Sequence, residues 1–361
     1  MNKPIIGILT RREGKRFMEP QYFRRLIRAG NELGAIVFLF SPADVRIQEG
    51  KVRGYVPSSQ GGWLERWFRR PDVVIDRFRY TPNQSFREYV QFRNNSSMVF
   101  ANNRLANKWR VHQVLWKDEQ MRQWLPETCH YQPTAFRNML AKHKYVFVKP
   151  SNGTGGRGIL RIKKTANGYE LLGRTKQRNI IQVKLTTPQA LSYRVKSWAQ
   201  GELFVVQQGL ALDLIPGRTV DIRLLIQKNS EGQWDITGMG VRVGGSKSAT
   251  SNLHGGGKAV PAVEFLTPRF GSEQTLSIIG ECHELAHRAA GALENHFGRL
   301  IELGLDIGID VNGRAWLIEV NPKPGREIFR ELGQKTIYRQ AIRRPIEYAM
   351  YLSRISRERK S

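Results

Sequence analysis

The residues that could do chemistry fall in three short stretches. In VFVKPSNGTGGRGI, a β-type run ends in Lys149, and Ser151, Gly153, Gly155, Gly156 and Gly158 follow closely. Glycine lets successive backbone N–H groups turn toward one anion with no Cβ in the way, and a lysine at the strand end adds a point charge. No G-K-[S/T] closes the loop and no helix follows, which excludes a Walker A loop; it joins strand to strand, which excludes a Rossmann fingerprint. By itself the stretch is either a phosphate cradle or a flexible hairpin whose glycines serve turn geometry. The second set is Asp306 in LGLDIG with Glu319 and Asn321 in LIEVNPKPG. Glu319 and Asn321 stand two apart on an extended run, so both face one side. The Asn312-Gly313 turn dipeptide puts Asp306 on the strand opposite. Three converging oxygen donors suit Mg2+ shared with substrate phosphates. A solvated acidic edge is the alternative, but a carboxylate inside the apolar run AWLIEV needs a partner. The third set is Asp221 and Arg223, which share a face at the start of an apolar strand. They form a structural ion pair, or Arg223 is aimed at a phosphoryl group in transfer.

One motif points elsewhere. His283, Glu284 and His287 form H-E-x-x-H on a predicted helix, the spacing of zinc metalloproteases. The longer extension of that motif is absent, and the expectation is a polar helix face without catalytic zinc. His254, in SNLHGGG, is a candidate for the edge of an active cleft or a loop residue beside turn glycines. Arg69-Arg70 and Arg77-Phe78-Arg79-Tyr80 interleave charge with aromatics, but no nucleic-acid module accompanies them, and a solvated face is expected.

These residues need a scaffold of strands. IIGIL (5–9), AIVFLF (35–40), DVVID (72–76) and MVF (98–100) are continuous apolar runs, as buried parallel strands tend to be. A helix over 20–33 separates the first two, giving a βαβ rhythm. A helix is expected over about 104–124, ending before Pro126. YVFVKP, GILRIKK, NGYELLG, YRVKSWA, ELFVVQQ, DIRLLIQ and WDITGMGVRV are expected as strands, antiparallel from the glycine-rich turn onward. A long helix over about 272–297 then leads to the Asp306 hairpin, and the last thirty or so residues look helical and basic. The fold class is α/β (α+β).

The length, 361 residues, exceeds what one core usually supports. Lys+Arg number 58 against 31 Asp+Glu, a net charge of +27. By successive hundreds the net charge is +9, +15 and −1, with +4 in the remainder, so the excess sits in a folded middle segment and not in a tail. Two cysteines exclude a disulfide framework and fit a reducing compartment. No signal-peptide or membrane-spanning run is apparent, so a cytoplasmic protein with an anionic partner is expected.

At these residues the sequence resembles the ATP-grasp superfamily, and is most similar to the endospore coat-associated YheC/YheD family. The order matches over roughly residues 100–330. Lys108 in NRLANKWRVHQ comes first, then Lys149 with loop 151–158, the hinge FVVQQGLAL, the D-x-R strand, SNLHGGG, Asp306 and EVNPKPG. The resemblance implies a small domain over 1–103 preceding the ATP-grasp fold. It implies a nucleotide-binding part over 104–205, a metal and catalytic part over 206–335, and a basic helix over 336–361. It implies ATP as cofactor, with Lys108 and Lys149 on the phosphates and loop 151–158 closing over them. Gln207, Gln208 and Leu210 would line the adenine pocket and Asp213 would hold the ribose. Arg223 and Asn252 would stabilise the transferred phosphoryl, and Asp306, Glu319 and Asn321 would hold Mg2+. The family's hinge usually offers a glutamate, and this chain has Gln207 and Gln208 there. The implied activity is a carboxylate–amine ligase acting through an acyl phosphate, on an acidic substrate or polymer, in association with the spore coat. A degenerate scaffold in the coat and a basic polyanion or nucleic-acid binder are the alternatives.

Overall fold

The computed structural model describes residues 3–79, 84–151, 157–177, 179–244 and 257–358. Its first sheet is built on β1 (Ile5–Leu9), with β4 (Ile36–Phe40) and β8 (Val73–Asp76) parallel on either side. The short pieces β2 (Arg12–Glu13), β3 (Arg16–Phe17) and β5 (Val45–Arg46) fill the connections, and the hairpin β6 (Lys51–Pro57) and β7 (Trp63–Arg69) extends the outer edge. Helix α1 (Pro20–Glu32), opened by Pro20, buries Phe23, Leu26 and Ile27 on this sheet. Residues 98–100 were expected as a strand but contribute one bridge, Val74 to Phe100. Helix α2 (Gln84–Asn95) buries Tyr89 nearby.

Helix α3 covers only Lys108–Lys117 of the expected 104–124. Asn107 caps it by accepting from Arg110 N at 2.9 Å, and the Asp118 carboxylate stops it by accepting from the Gln120 and Met121 amides. The second sheet has the order β13-β12-β11-β10-β14-β9. Its strands are β9 (Thr128–His130), β10 (Tyr145–Pro150), β11 (Ile159–Thr165), β12 (Gly168–Arg174), β13 (Ile180–Leu185) and β14 (Phe204–Gln208), all antiparallel. Helices α4 (Pro133–Lys142) and α5 (Pro188–Trp198) cover it. YRVKSWA, expected as a strand, is the body of α5. Thr187 caps that helix through Ala190 N, Pro188 starts it, and Leu191 and Val195 are buried four apart. Those start signals outweigh the β-branched content.

The third sheet has the order β17-β16-β15-β18-β19. It comprises β15 (Val220–Lys228), β16 (Trp234–Val243), β17 (Lys258–Val260), β18 (Glu302–Ile309) and β19 (Ala315–Asn321). Helix α6 runs Ala262–Phe297, longer than expected, with its axis broken at Gly271 (φ 77°). Cys282, Leu285, Ala289 and Leu293 bury its inner face against this sheet. After α7 (Glu327–Glu331), helix α8 (Lys335–Glu358) returns to pack on α1, with Ile342, Ile346 and Ala349 in the core of the first sheet. Among the described residues, no helix is long and apolar enough to cross a membrane.

Candidate active site

Lys108 and Lys149 come together at the junction of α3 with the second sheet. Lys108 opens α3, and its backbone N–H donates to Ser151 O at 2.9 Å, tying the helix to the start of the glycine-rich loop. Ser151 is itself pinned, with its N–H and its hydroxyl both donating to Leu203 O at 2.8 Å. At the far end Gly158 takes φ 70° and donates to Arg174 O at 2.8 Å, while the Trp198 indole donates to its carbonyl. Both ends of the loop are thus held by strand and helix. Gly153, Gly155 and Gly156 lie outside the described residues, as do Asn252 and His254.

Lys149 Nζ donates to Gln207 Oε1 at 2.6 Å across β10 and β14. Burial, and then the charge on Lys108, push its pKa down to about 8, with Glu319 opposing. Gln207 donates in turn to Thr128 Oγ1 at 3.0 Å, and Gln208 Oε1 accepts from Glu127 N at 3.1 Å. Gln207 is therefore engaged through both its amide oxygen and nitrogen, and Gln208 through its oxygen. Gly209 is required there, because a Cβ would lie 2.2 Å from the Tyr145 ring. Leu210 is buried, and its carbonyl accepts from Tyr145 OH. Asp213 is exposed beside that ring; burial, and then its charge, raise the phenol to about 12.

The second cluster sits on the third sheet. Asp310 accepts from Asn312 N and Arg314 N, and Gly313 (φ 89°) closes the hairpin that registers Asp306 directly against Glu319. The register slips just beyond Asp306, an irregularity that re-aims the strand end. Asn321 Nδ2 lies 3.4 Å from Asp306 Oδ2. Arg223 Nε donates to Asp306 Oδ1 at 2.7 Å, so Arg223 pairs with the candidate metal ligand and not with Asp221. Asp221 faces Arg242 in the register, and Arg242 bonds it at 2.6 Å while reaching Asp306 at 3.1 Å. Burial would raise the Asp306 pKa; Arg223 and Arg242 outweigh it and hold it low. Arg242 was not foreseen, although its place in the alternation of WDITGMGVRV opposite Asp221 is the signal that could have found it.

Lys108 Nζ bridges the two clusters, 3.2 Å from Glu319 Oε1. The combined site holds four cations, Lys108, Lys149, Arg223 and Arg242, against three carboxylates, Asp221, Asp306 and Glu319. Oxygen donors from Asp306, Glu319 and Asn321 suit Mg2+ in type. Because the chain's own cations already neutralise them, a divalent cation fits here in company with phosphate oxygens. The H-E-x-x-H helix lies elsewhere: Glu284 and His287 are exposed, and no metal-ligating group of three His, Cys, Asp or Glu occurs among the described residues.

The loop after β19 anchors this centre to the first sheet. Lys323 Nζ donates to Asp76 Oδ1 at 2.9 Å, and Arg79 donates to the Lys323 carbonyl. Arg77, expected on a solvated face, is buried between Glu302 at 2.8 Å and Glu19 at 3.1 Å. Glu302 also accepts from Arg326 and Gln227, a network that sequence reasoning missed because its members come from distant segments.

Two lysines at the junction of α3 with one antiparallel sheet, facing the acidic strand ends of another, are arranged as in an ATP-grasp fold. Solved structures agree. D-cycloserine synthetase DcsG superposes with a TM-score of 0.58 at 13% identity, covering 97% of this chain and 99% of that one. VanG D-Ala:D-Ser ligase from Enterococcus faecalis gives 0.53 at 12% identity, covering 96% and 100%. The profile of YheC/D-like ATP-grasp domains matches residues 97–352, and the chain belongs to that family. The endospore coat-associated protein YheD of Bacillus subtilis (strain 168) is 27% identical, covering 97% of this chain and 79% of YheD. YheC of the same organism is 27% identical, covering 86% of each.

Proposed function

We propose that the chain is an ATP- and Mg2+-dependent ligase that activates a carboxylate as an acyl phosphate and couples it to an amine or similar nucleophile. The observation that carries this reading is the Lys108–Glu319 bridge, which joins the phosphate-side lysines to the Asp306/Glu319/Asn321 set. A carboxylate is a poor electrophile, so its oxygen attacks the γ-phosphate, releasing ADP, and the nucleophile then displaces phosphate from the acyl group. Lys108 and Lys149 orient the triphosphate, while Arg223 and Arg242 lie where negative charge develops on the transferred group. Asp306, Glu319 and Asn321 would hold Mg2+, which would supply positive charge beside the phosphates. The loop held at Ser151 and Gly158 is suited to covering the acyl phosphate against water. The net charge of +27 supports an acidic carboxylate substrate or polymer. The similarity to the endospore coat-associated proteins YheC and YheD supports association with spore coat components.

The test is ADP release from ATP and Mg2+ over a panel of acidic peptides and amines. Expected is turnover with one acid–amine pair, lost in Lys149→Met and Arg223→Met. No nucleotide binding by calorimetry under saturating Mg-ATP sinks the reading. A fluorescent fusion in sporulating cells checks the location, and diffuse signal throughout sporulation removes the coat association.

A further inference from the structure

The first sheet is split on its outer side. Strands β4 and β6 share one register pair, Leu39 with Tyr55, whereas β6 is paired along its whole length with β7. The start of β4 and the end of β6 therefore diverge, and with α1 they line a cleft of about 540 Å³. Ile27, Val37, Leu64 and Phe68 give it apolar walls. Arg24 and Arg28 from α1 and Arg66 from β7 stand around it, and none of its described lining residues is acidic. Arg28 and Arg66 make no ion pair among the described residues, and both are exposed. Arg24 donates to Gly62 O at 2.8 Å and lies over the Trp63 ring.

The cleft opens at the Ile36 end of β4. The candidate active site meets this sheet at the other end, where β8 finishes in Asp76 against Lys323. It is thus separate from the ATP-dependent chemistry and does not rest on it.

We propose that this cleft docks an extended acidic segment of a partner protein. Because Ile36 N–H is bonded to Pro4 O on the β1 side, Val37 turns its main-chain N–H and C=O to the gap, where an extended peptide can pair with them while alternate side chains reach the walls. Carboxylates of the segment meet Arg28 and Arg66, and its apolar residues meet exposed Leu64. The cleft suits a peptide better than a single-stranded nucleic acid, which needs free ring faces for its bases. Phe68 is stacked on Phe38 at 4.2 Å and Trp63 is covered by Arg24, so these rings are taken.

The experiment is fluorescence anisotropy on the full chain with a labelled peptide of alternating Glu and Val. A Lys-Val peptide and an oligo-thymidine of equal charge serve as comparators, and hydrogen exchange is followed alongside. Expected is binding of the Glu-Val peptide alone, with new protection at the Val37 amide. Arg28→Glu and Arg66→Glu should each weaken it about tenfold with an unchanged melting temperature. The proposal fails if neither reversal changes binding, if protection appears elsewhere, or if the oligonucleotide binds as well and displaces the peptide.

Discussion

On the proposed function, Lys149 should make nucleotide binding depend on pH in a way that can be worked out in advance. Its ammonium is half-buried and bonded to a neutral amide oxygen, and desolvation together with Lys108 brings its pKa from 10.5 to about 8. At pH 7 about nine-tenths of the molecules carry the charge, and at pH 9 about one-tenth. A triphosphate beside it supplies the negative charge the pocket lacks and raises the pKa again, so the protonated form is the one that binds. Apparent affinity therefore falls about tenfold between pH 7 and pH 9, and binding at pH 8 takes up about half a proton. The assay is calorimetry with a non-hydrolysable ATP analogue and Mg2+, repeated in two buffers of different ionisation heat. Lys149→Met should bind weakly at every pH and lose the slope. Equal affinity at pH 7 and pH 9, or the same slope in Lys149→Met, refutes the placement of a poised lysine on the phosphates.

Three further outcomes follow from the same electrostatics. Because four cations face three carboxylates, Mg2+ alone should give no calorimetric heat, and should bind once nucleotide is present; tight binding without nucleotide contradicts the charge count. Arg242→Met leaves buried Asp306 with Arg223 alone and takes a cation from half-buried Asp221, and should cost about 1–3 kcal/mol in urea unfolding. Glu19 has its pKa lowered to about 2: burial opposes the shift, and Arg77 and Arg79 overcome it. The unfolded chain binds this proton from about pH 4.5 downward, so the stabilisation is complete above that value and is lost as pH falls toward 2. That amounts to about 3 kcal/mol, and urea melts of Glu19→Gln should be less steep across the window.

What could be read in the sequence was local. Pro20 and the apolar face after it gave α1, Asn312-Gly313 gave the hairpin, and the two-residue spacing of Glu319 and Asn321 gave their shared face. The turn alone would set Asp306 opposite Ile318, and the register irregularity between Asp306 and Ile307 brings Glu319 there instead. Failures occurred where a short signal competed with a longer one. YRVKSWA is rich in strand formers, yet Thr187-Pro188 commits it to a helix. The apolar stripe of 105–115 suggested a long helix that Asn107 and Asp118 cut at both ends. The partner of Asp221 could not be read from D-x-R, because the arginine that pairs with it lies on the neighbouring strand. The same limit hid Arg77, Glu302 and Arg326, which meet only when α8 and the loop after β19 close over the first sheet.

That buried network changes the meaning of the +27. Glu19 serves Arg77 and Arg79, Asp44 serves Arg12 and Arg53, Glu302 serves Arg77 and Arg326, and Asp306 serves Arg223 and Arg242. A carboxylate has lone pairs enough for two guanidinium groups, so few acids can serve more arginines: Glu19 and Glu302 together serve Arg77, Arg79 and Arg326, one positive charge over. Part of the excess is thus the by-product of bracing the first and third sheets with few acids. Arginine suits this use better than lysine, since its fork bonds a carboxylate edge while another edge stays open. The charge that can recognise something outside the chain is the fraction with no carboxylate to share. In the first sheet that fraction includes Arg28 and Arg66, at the cleft, and it is their reversal, more than any change in overall charge, that should decide whether an acidic partner binds.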